Sequence, residues 1–395
     1  MQHERRAYKS IVLFGIVSLL ADVTYESARS IIGPYLAVLG ASAVAISVVS
    51  GAGELVGYGL RIASGRLADR TQRYWLLVWI GYAVNLLAVP LLALVGRWEV
   101  AAVLVIAERL GKAIRAPARD ALLAQATQHI GHGKGFGIHE ALDQIGAVSG
   151  PLLVAAAMAV GLGYRGALGL LAIPALAALG ALRLIERTLP PPEHTSVHSS
   201  ESNAAPAALP PMFYRFLIAA CFAAAGMVDF PLLAYHAHAA GFSQTLVPLL
   251  YALAMAVDAL AALVLGRLFD RLGLRTLAAA SVVSSIAAVL VIASGSPGAG
   301  IISPVALAIG IAAWGIGMGA HESILRASVA LIVPAQLRGS AFGALSAWYG
   351  GAWFVGSSLL GVLYRWHPMA MALAVAVLQG VAAAMWFASA RTHTN

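Results

Sequence analysis

The chain has 395 residues, of which 60% are hydrophobic and 11% charged; its mean hydropathy is +0.84 and its formal net charge +8. No soluble domain hides that much apolar surface, so lipid must supply part of the solvent, and the single cysteine, Cys221, excludes a disulfide framework or thiolate metal cluster. Strict apolar–polar alternation is missing, which argues against a membrane β-barrel and for an all-α polytopic membrane protein.

Twelve spans are expected in chain order, each close to the ~20 residues that cross roughly 30 Å of hydrocarbon as a helix. The first, near 10–37, follows the basic start MQHERRAYKS. It holds Asp22 and Glu26 and has no small-residue cleavage site, so it is expected to stay as a spanning helix and not be removed as a signal. The next five centre on 43–64, 74–95, 98–122, 135–161 and 165–185. Residues 186–211, ERTLPPPEHTSVHSSESNAAPAALPP, have no hydrophobic periodicity and are expected to link a bundle over 1–185 to a second over 212–395. The last six spans centre on 212–238, 245–265, 276–294, 302–328, 339–362 and 368–390.

Lys and Arg set the orientation. With the N-terminus inside, fifteen bases fall at inner ends and loops, against three (Arg97, Arg165 and Arg365) at outer loops. Both termini and the linker are therefore expected on the cytoplasmic side. The positive balance is spread over many short loops, so no nucleic-acid surface is expected.

The two halves repeat. GRLADR at 65–70 returns as GRLFDR at 266–271, and Gly133, Phe136 and Gly137 return 206 residues later as Gly339, Phe342 and Gly343. Tyr8 and Tyr214 are also 206 apart. Repeated halves around a central site are a common construction of secondary transporters.

GRLADRTQRY, between spans two and three, resembles the Gly-x-Leu-Ala-Asp-Arg-x-Gly-Arg-Lys/Arg signature of the major facilitator superfamily, with Gly65, Leu67, Ala68, Asp69, Arg70 and Arg73 matching. Gln72 stands where glycine is usual and Tyr74 where a second base is usual, while the second-half copy keeps its glycine as Gly273. GAVSGP in span five is similar to the antiporter motif of that superfamily's drug exporters, without the glycine pair that follows there. GKAIRAPARDAL in span four resembles a segment of bacterial permeases of the superfamily. The resemblance implies two six-helix halves, a central cavity lined by spans one, four, seven and ten, and a latch at one end built from Gly65, Asp69, Arg70 and Arg73. Asp270 and Arg271 occupy the repeated positions.

Seven bases and about ten acids remain within spans, where each unpaired charge at mid-bilayer costs at least about 2.5 kcal/mol. Helical spacing groups them. Asp22, Glu26 and Arg29 share a face of span one; Glu108, Lys112, Arg115 and Arg119 share a face of span four. Span seven offers Asp229 and His236 around a Pro231 kink, and span ten offers Glu322 and Arg326 beside His321. Arg109 and Asp120 fall off the span-four line and are assigned to packing or the cytoplasmic edge.

Asp22 and Glu26, acids in low dielectric, are the leading proton-coupling residues, with Asp229 their counterpart in the second half. His139, Glu140 and Asp143 in span five are either partners of Arg115 and Arg119 or a further proton step. Glu108, Lys112, Arg115, Arg119, His321, Glu322, Arg326 and Tyr25 are expected to meet cargo. Internal ion pairing is the alternative for each of these charges.

No phosphate-binding loop, zinc-protease helix or nucleophile elbow is present, so no enzyme, cofactor or ATP-driven pump is expected. The expected function is secondary transport of a small organic solute by a monomer, proton-coupled and outward. Alternatives are an organic-anion transporter using the span-four bases, a metal-ion permease using the His236–His238 pair, and a sensor that moves nothing.

Overall fold

The computed structural model describes residues 2–127, 132–188, 209–295, 303–334 and 337–391. The linker expected over 186–211 falls outside the described residues for its central part, 189–208. The first half comprises α1 (Gln2–Val38), α2 (Ala43–Thr71), α3 (Tyr74–Leu91), α4 (Trp98–Thr127), α5 (His132–Ala159) and α6, in pieces Gly163–Leu170 and Ala172–Thr188. The second half comprises α7, in pieces Pro211–Ala225 and Phe230–Ala239, then α8 (Leu246–Leu272) and α9 (Arg275–Gly295). It continues with α10 in three successive pieces, Pro304–Gly319, Ala320–Ile324 and Leu325–Ile332, then α11 (Arg338–Trp366) and α12 (Pro368–Arg391).

Among the described residues, ten of these units are long and apolar enough to cross a membrane. The other two are α4, which carries too many charges, and α11, whose glycines, serines and aromatic residues dilute its hydropathy. Both nevertheless run the length of the bundle, because their polar faces turn inward and not to lipid. Buried apolar residues form two clusters, one within 11–185 and the other within 213–390, joined by Ala43 and Ala147. Inside the first half, α3 and α4 meet backbone to backbone, and a β-carbon at Gly111 would lie 2.6 Å from the Gly81 carbonyl oxygen. Small residues let membrane helices approach this closely.

Two irregularities place functional side chains. The sequence predicts a kink at Pro231; the structure has a full break over Gly226–Asp229, with Asp229 at the N-cap of the second piece. Proline has no N–H to continue the helical ladder, and the carbonyls left free around the break need other donors. Trp314 Nε1 donates to the Val228 carbonyl at 2.7 Å and Gln379 Nε2 to that of Ala223 at 3.0 Å. In α10, Ala320–Ile324 form a π turn. Its extra residue per turn cancels the i,i+4 alignment that the sequence predicts for Glu322 and Arg326, and no ion pair joins them within 4.0 Å.

The repeated GRLADR and GRLFDR segments end α2 and α8 in the same way. Gln72 (φ 54°, left-handed) and Gly273 (φ 57°, ψ −135°) each take a positive φ and donate a backbone N–H four residues back, to Ala68 and Phe269, both at 2.8 Å. The geometry explains the glycine at the second site. At the first, Gln72 compensates by donating its side-chain Nε2 to the Asp69 carbonyl at 2.6 Å.

Candidate functional site

Two adjoining cavities lie between the halves. The first, of about 500 Å³, is bounded by α1, α2, α3, α4 and the start of the second piece of α7; its polar lining is Tyr25, Arg29, Ser50, Glu54, Glu108, Arg109 and Asp229. The second, of about 460 Å³, shares Arg29, Glu54 and Arg109 with it and adds Tyr58, Arg61 and Lys112 from the first half, with Met318, Glu322 and Trp353 from the second.

A ladder of charges runs along their shared wall. Lys112 Nζ and Arg29 Nη1 each lie 3.9 Å from Glu26 Oε1. Arg29 Nη2 reaches Glu54 Oε1 at 2.8 Å, and Arg109 Nη2 reaches the same oxygen at 3.5 Å. Arg109 Nε lies 3.3 Å from Glu108 Oε2, and Asn85 Nδ2 donates to Glu108 Oε1 at 2.8 Å. Three acids thus answer three bases, the only inexpensive way to hold six charges away from water. Tyr251 of α8 donates its hydroxyl to Glu26 Oε2, which ties this first-half ladder to the second half.

Three buried acids stand apart from the ladder; one, Asp258 of α8, is 4% exposed, makes no ion pair among the described residues and leaves its Oδ1 without a partner. Asp22, 4% exposed, accepts the Tyr25 hydroxyl and has no cation within 4.0 Å. Asp229, also 4% exposed, accepts Trp353 Nε1 at 2.9 Å and the Ser357 hydroxyl, again with no cation. Hydroxyl and indole donors satisfy oxygen lone pairs without supplying a counter-charge.

The span-four stripe divides on inspection. Glu108 lines the first cavity and Lys112 the second, with the ammonium 4.1 Å from the centre of the Tyr25 ring. Arg115, expected to face cargo, is 1% exposed and lines neither cavity; its guanidinium lies 4.2 Å from the centre of the Tyr82 ring of α3, with Nε and Nη1 unpartnered. Arg119 pairs with Asp120 at 2.8 Å and donates to Ser18 Oγ at 3.4 Å. Arg109, which spacing had assigned to packing or an edge, joins Glu54 in the cavity wall. Glu54 and Arg61 are further cavity residues that spacing along the four expected helices overlooked, because both belong to α2. Their signal was a charge inside an apolar span.

The span-five group also separates. His139 Nε2 lies 2.8 Å from Ser18 Oγ, so it connects to Arg119 through that hydroxyl. Glu140 is exposed and accepts Gln144 Nε2 at 3.4 Å, and Asp143 leaves one buried oxygen without a partner. On α10, His321 Nδ1 lies 2.6 Å from the Tyr349 hydroxyl, Glu322 opens into the second cavity, and Arg326 is exposed. His236 pairs with the Tyr364 hydroxyl at 2.9 Å, and no group of three or more His, Cys, Asp or Glu among the described residues is placed to hold a metal.

The bundle is shut at the end remote from the termini. The α1 backbone at Gly33 lies so close to the second piece of α7 that a β-carbon there would be 1.9 Å from the Pro231 carbonyl oxygen. Tyr235 packs against both apolar clusters at that end, and Tyr164 meets His238 edge-on at 6.5 Å. At the opposite end Asp69, Arg70, Arg73, Asp270 and Arg271 are exposed, and among the described residues none of them makes an ion pair. Gly65 lies beside Pro117 of α4.

This architecture matches known proteins. An uncharacterized protein of Mycobacterium tuberculosis (strain ATCC 25618 / H37Rv) is 41% identical over 388 residues, 97% of this chain and 93% of that one. The crystal structure of peptide transporter POT in complex with sulfate superposes with a TM-score of 0.76 at 15% identity, covering 98% of this chain and 94% of that one. The structure of nucleoside transporter NupG superposes with a TM-score of 0.69 at 16% identity, covering 98% and 99%. At such identities the likeness shows a shared fold of twelve membrane helices in two six-helix bundles. The family model Major Facilitator Superfamily matches residues 14–357. With two repeated halves enclosing a charged cavity, the chain belongs to the Major Facilitator Superfamily and is a multi-pass membrane transporter.

Proposed function

We propose that this transporter couples export of a small organic solute to inward movement of protons, working as a monomer in a bacterial inner membrane with both termini in the cytoplasm. Its division is a bundle over 1–185, a linker over 186–211 and a bundle over 212–395. On that orientation the shut end faces outward and the cavity communicates with the cytoplasm. The Asp69–Arg70–Arg73 latch, with Asp270 and Arg271 at the repeated position, is open here and closes when the outer end opens.

The observation that carries the coupling is the contrast between Asp22 and its neighbours. Glu26, Glu54 and Glu108 are held in ion pairs, so gaining a proton would break at least one pair in each case. Asp22 has a tyrosine hydroxyl as its partner, and can take or release a proton without breaking a pair. Asp229 has the same freedom in the second half. A proton on Asp22 biases the two halves only if its affinity differs between the two conformations, and α1 supplies that link because it carries Asp22 and forms the closure at Gly33. His139, linked through Ser18 to Arg119, supplies a further proton step toward the cytoplasmic mouth.

The test is transport in proteoliposomes under an imposed pH gradient, with a panel of cationic, neutral and anionic solutes. Asp22→Asn is expected to abolish gradient-driven accumulation while exchange of labelled for unlabelled solute survives. Undiminished gradient-driven transport in that variant overturns the assignment.

A further inference from the structure

Every cavity charge on the first-half ladder has a partner; two charges that line the second cavity do not. Arg61 of α2 makes no ion pair and no guanidinium hydrogen bond, its Nε is buried without an acceptor, and its guanidinium lies 5.4 Å from the centre of the Tyr58 ring. Glu322, presented by the π turn of α10, opens into the same cavity and has no base within 4.0 Å. One is a cation from the first half and the other an anion from the second, and they do not touch.

We infer that the second cavity binds a zwitterionic solute, of the amino-acid or short-peptide class, with its carboxylate on Arg61 and its ammonium on Glu322. A solely anionic cargo would satisfy Arg61 and leave Glu322 without a counter-charge. A solely cationic one would do the reverse. Only a cargo with both charges gives each group a counter-ion: Arg61 is half-buried with its Nε buried and unpartnered, and Glu322 is exposed to the cavity. The remaining bases of the lining, Arg29, Arg109 and Lys112, are already engaged by Glu26, Glu54 and Glu108. Arg326 lies beyond the lining.

The cavity also has walls for an organic body: the Tyr58 and Trp353 rings stack at 6.4 Å with an interplanar angle of 29°. A cargo bridging Arg61 and Glu322 touches both halves at once, so its presence is reported to the helices that move.

This inference rests on the transporter reading but not on its proton coupling, and equilibrium binding without a gradient separates the two. The purified full chain in detergent is titrated with L-phenylalanine, 3-phenylpropanoate and 2-phenylethylamine, and with alanylalanine, its N-acetyl form and its C-terminal amide. Each zwitterion is expected to bind about tenfold or more tightly than its singly charged relatives. Glu322→Gln removes the preference over the anion, and Arg61→Gln removes the preference over the cation, in protein that remains monodisperse; Arg61→Lys restores part of it. Equal binding of zwitterions and their relatives, no binding of any zwitterion, or equal loss of all probes in both variants overturns the assignment. The last result would mean that the two groups clasp the halves and do not hold cargo.

Discussion

Gly33→Ala isolates the closure at the end remote from the termini. The added methyl would lie 1.9 Å from the Pro231 oxygen, 2.7 Å from its carbonyl carbon and 2.9 Å from its α-carbon. All three are backbone atoms, so no side-chain rotation relieves the contact. Restoring an ordinary 3.4 Å separation requires α1 and the second piece of α7 to part by about 1.5 Å (3.4 − 1.9). Overpacking of this kind costs about 1–3 kcal/mol, and here only the closed conformation bears it. The population should shift toward the conformation open at that end by about 5- to 150-fold. The assay is alkylation of Ser50→Cys, in the first cavity, by a membrane-impermeant maleimide added from outside, in a Cys221→Ser background. Faster labelling is expected in Gly33→Ala. Gly111→Ala is the control: its methyl would meet the Asn85 nitrogen at 2.4 Å, within one half, so it lowers thermal stability without faster labelling. Wild-type labelling rates in Gly33→Ala would refute the reasoning.

Two further predictions concern stability. Glu54→Gln removes the carboxylate shared by Arg29 and Arg109 and is expected to cost about 3–5 kcal/mol, read as a lowered melting temperature, with part of the loss recovered in Arg29→Gln/Glu54→Gln. A single variant as stable as the parent would mean that water already screens the site. Gln72 holds a left-handed conformation that costs a side-chain-bearing residue roughly 1–2 kcal/mol, partly offset by its bond to the Asp69 carbonyl. Gln72→Gly is therefore expected to be neutral or stabilising by up to about 1 kcal/mol, and Gln72→Val destabilising, in thermal unfolding; a Gly variant clearly less stable than the parent would contradict this.

Composition and helical period determined the class of molecule, because lipid demands long apolar helices and leaves few alternatives. The repeat, the two halves and the charges inside α1, α2, α4, α7 and α10 were all legible in one dimension. So were Asp22 and Asp229 as acids to watch, and Glu108, Lys112 and Glu322 as residues at the cavity.

Only the tertiary structure decided which charges meet. Spacing tells which residues share a helix face but not what that face touches. Glu108 and Arg115 share one on α4, yet Glu108 lines the cavity and pairs with Asn85, while Arg115 is sealed against Tyr82. Arg109, one position off the predicted stripe, faces Gly53 of α2 and so reaches Glu54. The π turn at Ala320–Ile324 altered the register of α10, and the break before Phe230 turned a kink into a cap; neither has a reliable signature in the sequence. Partner choice in a low-dielectric interior depends on distances of a few ångströms between helices far apart in the chain, and that information exists only after the helices have packed.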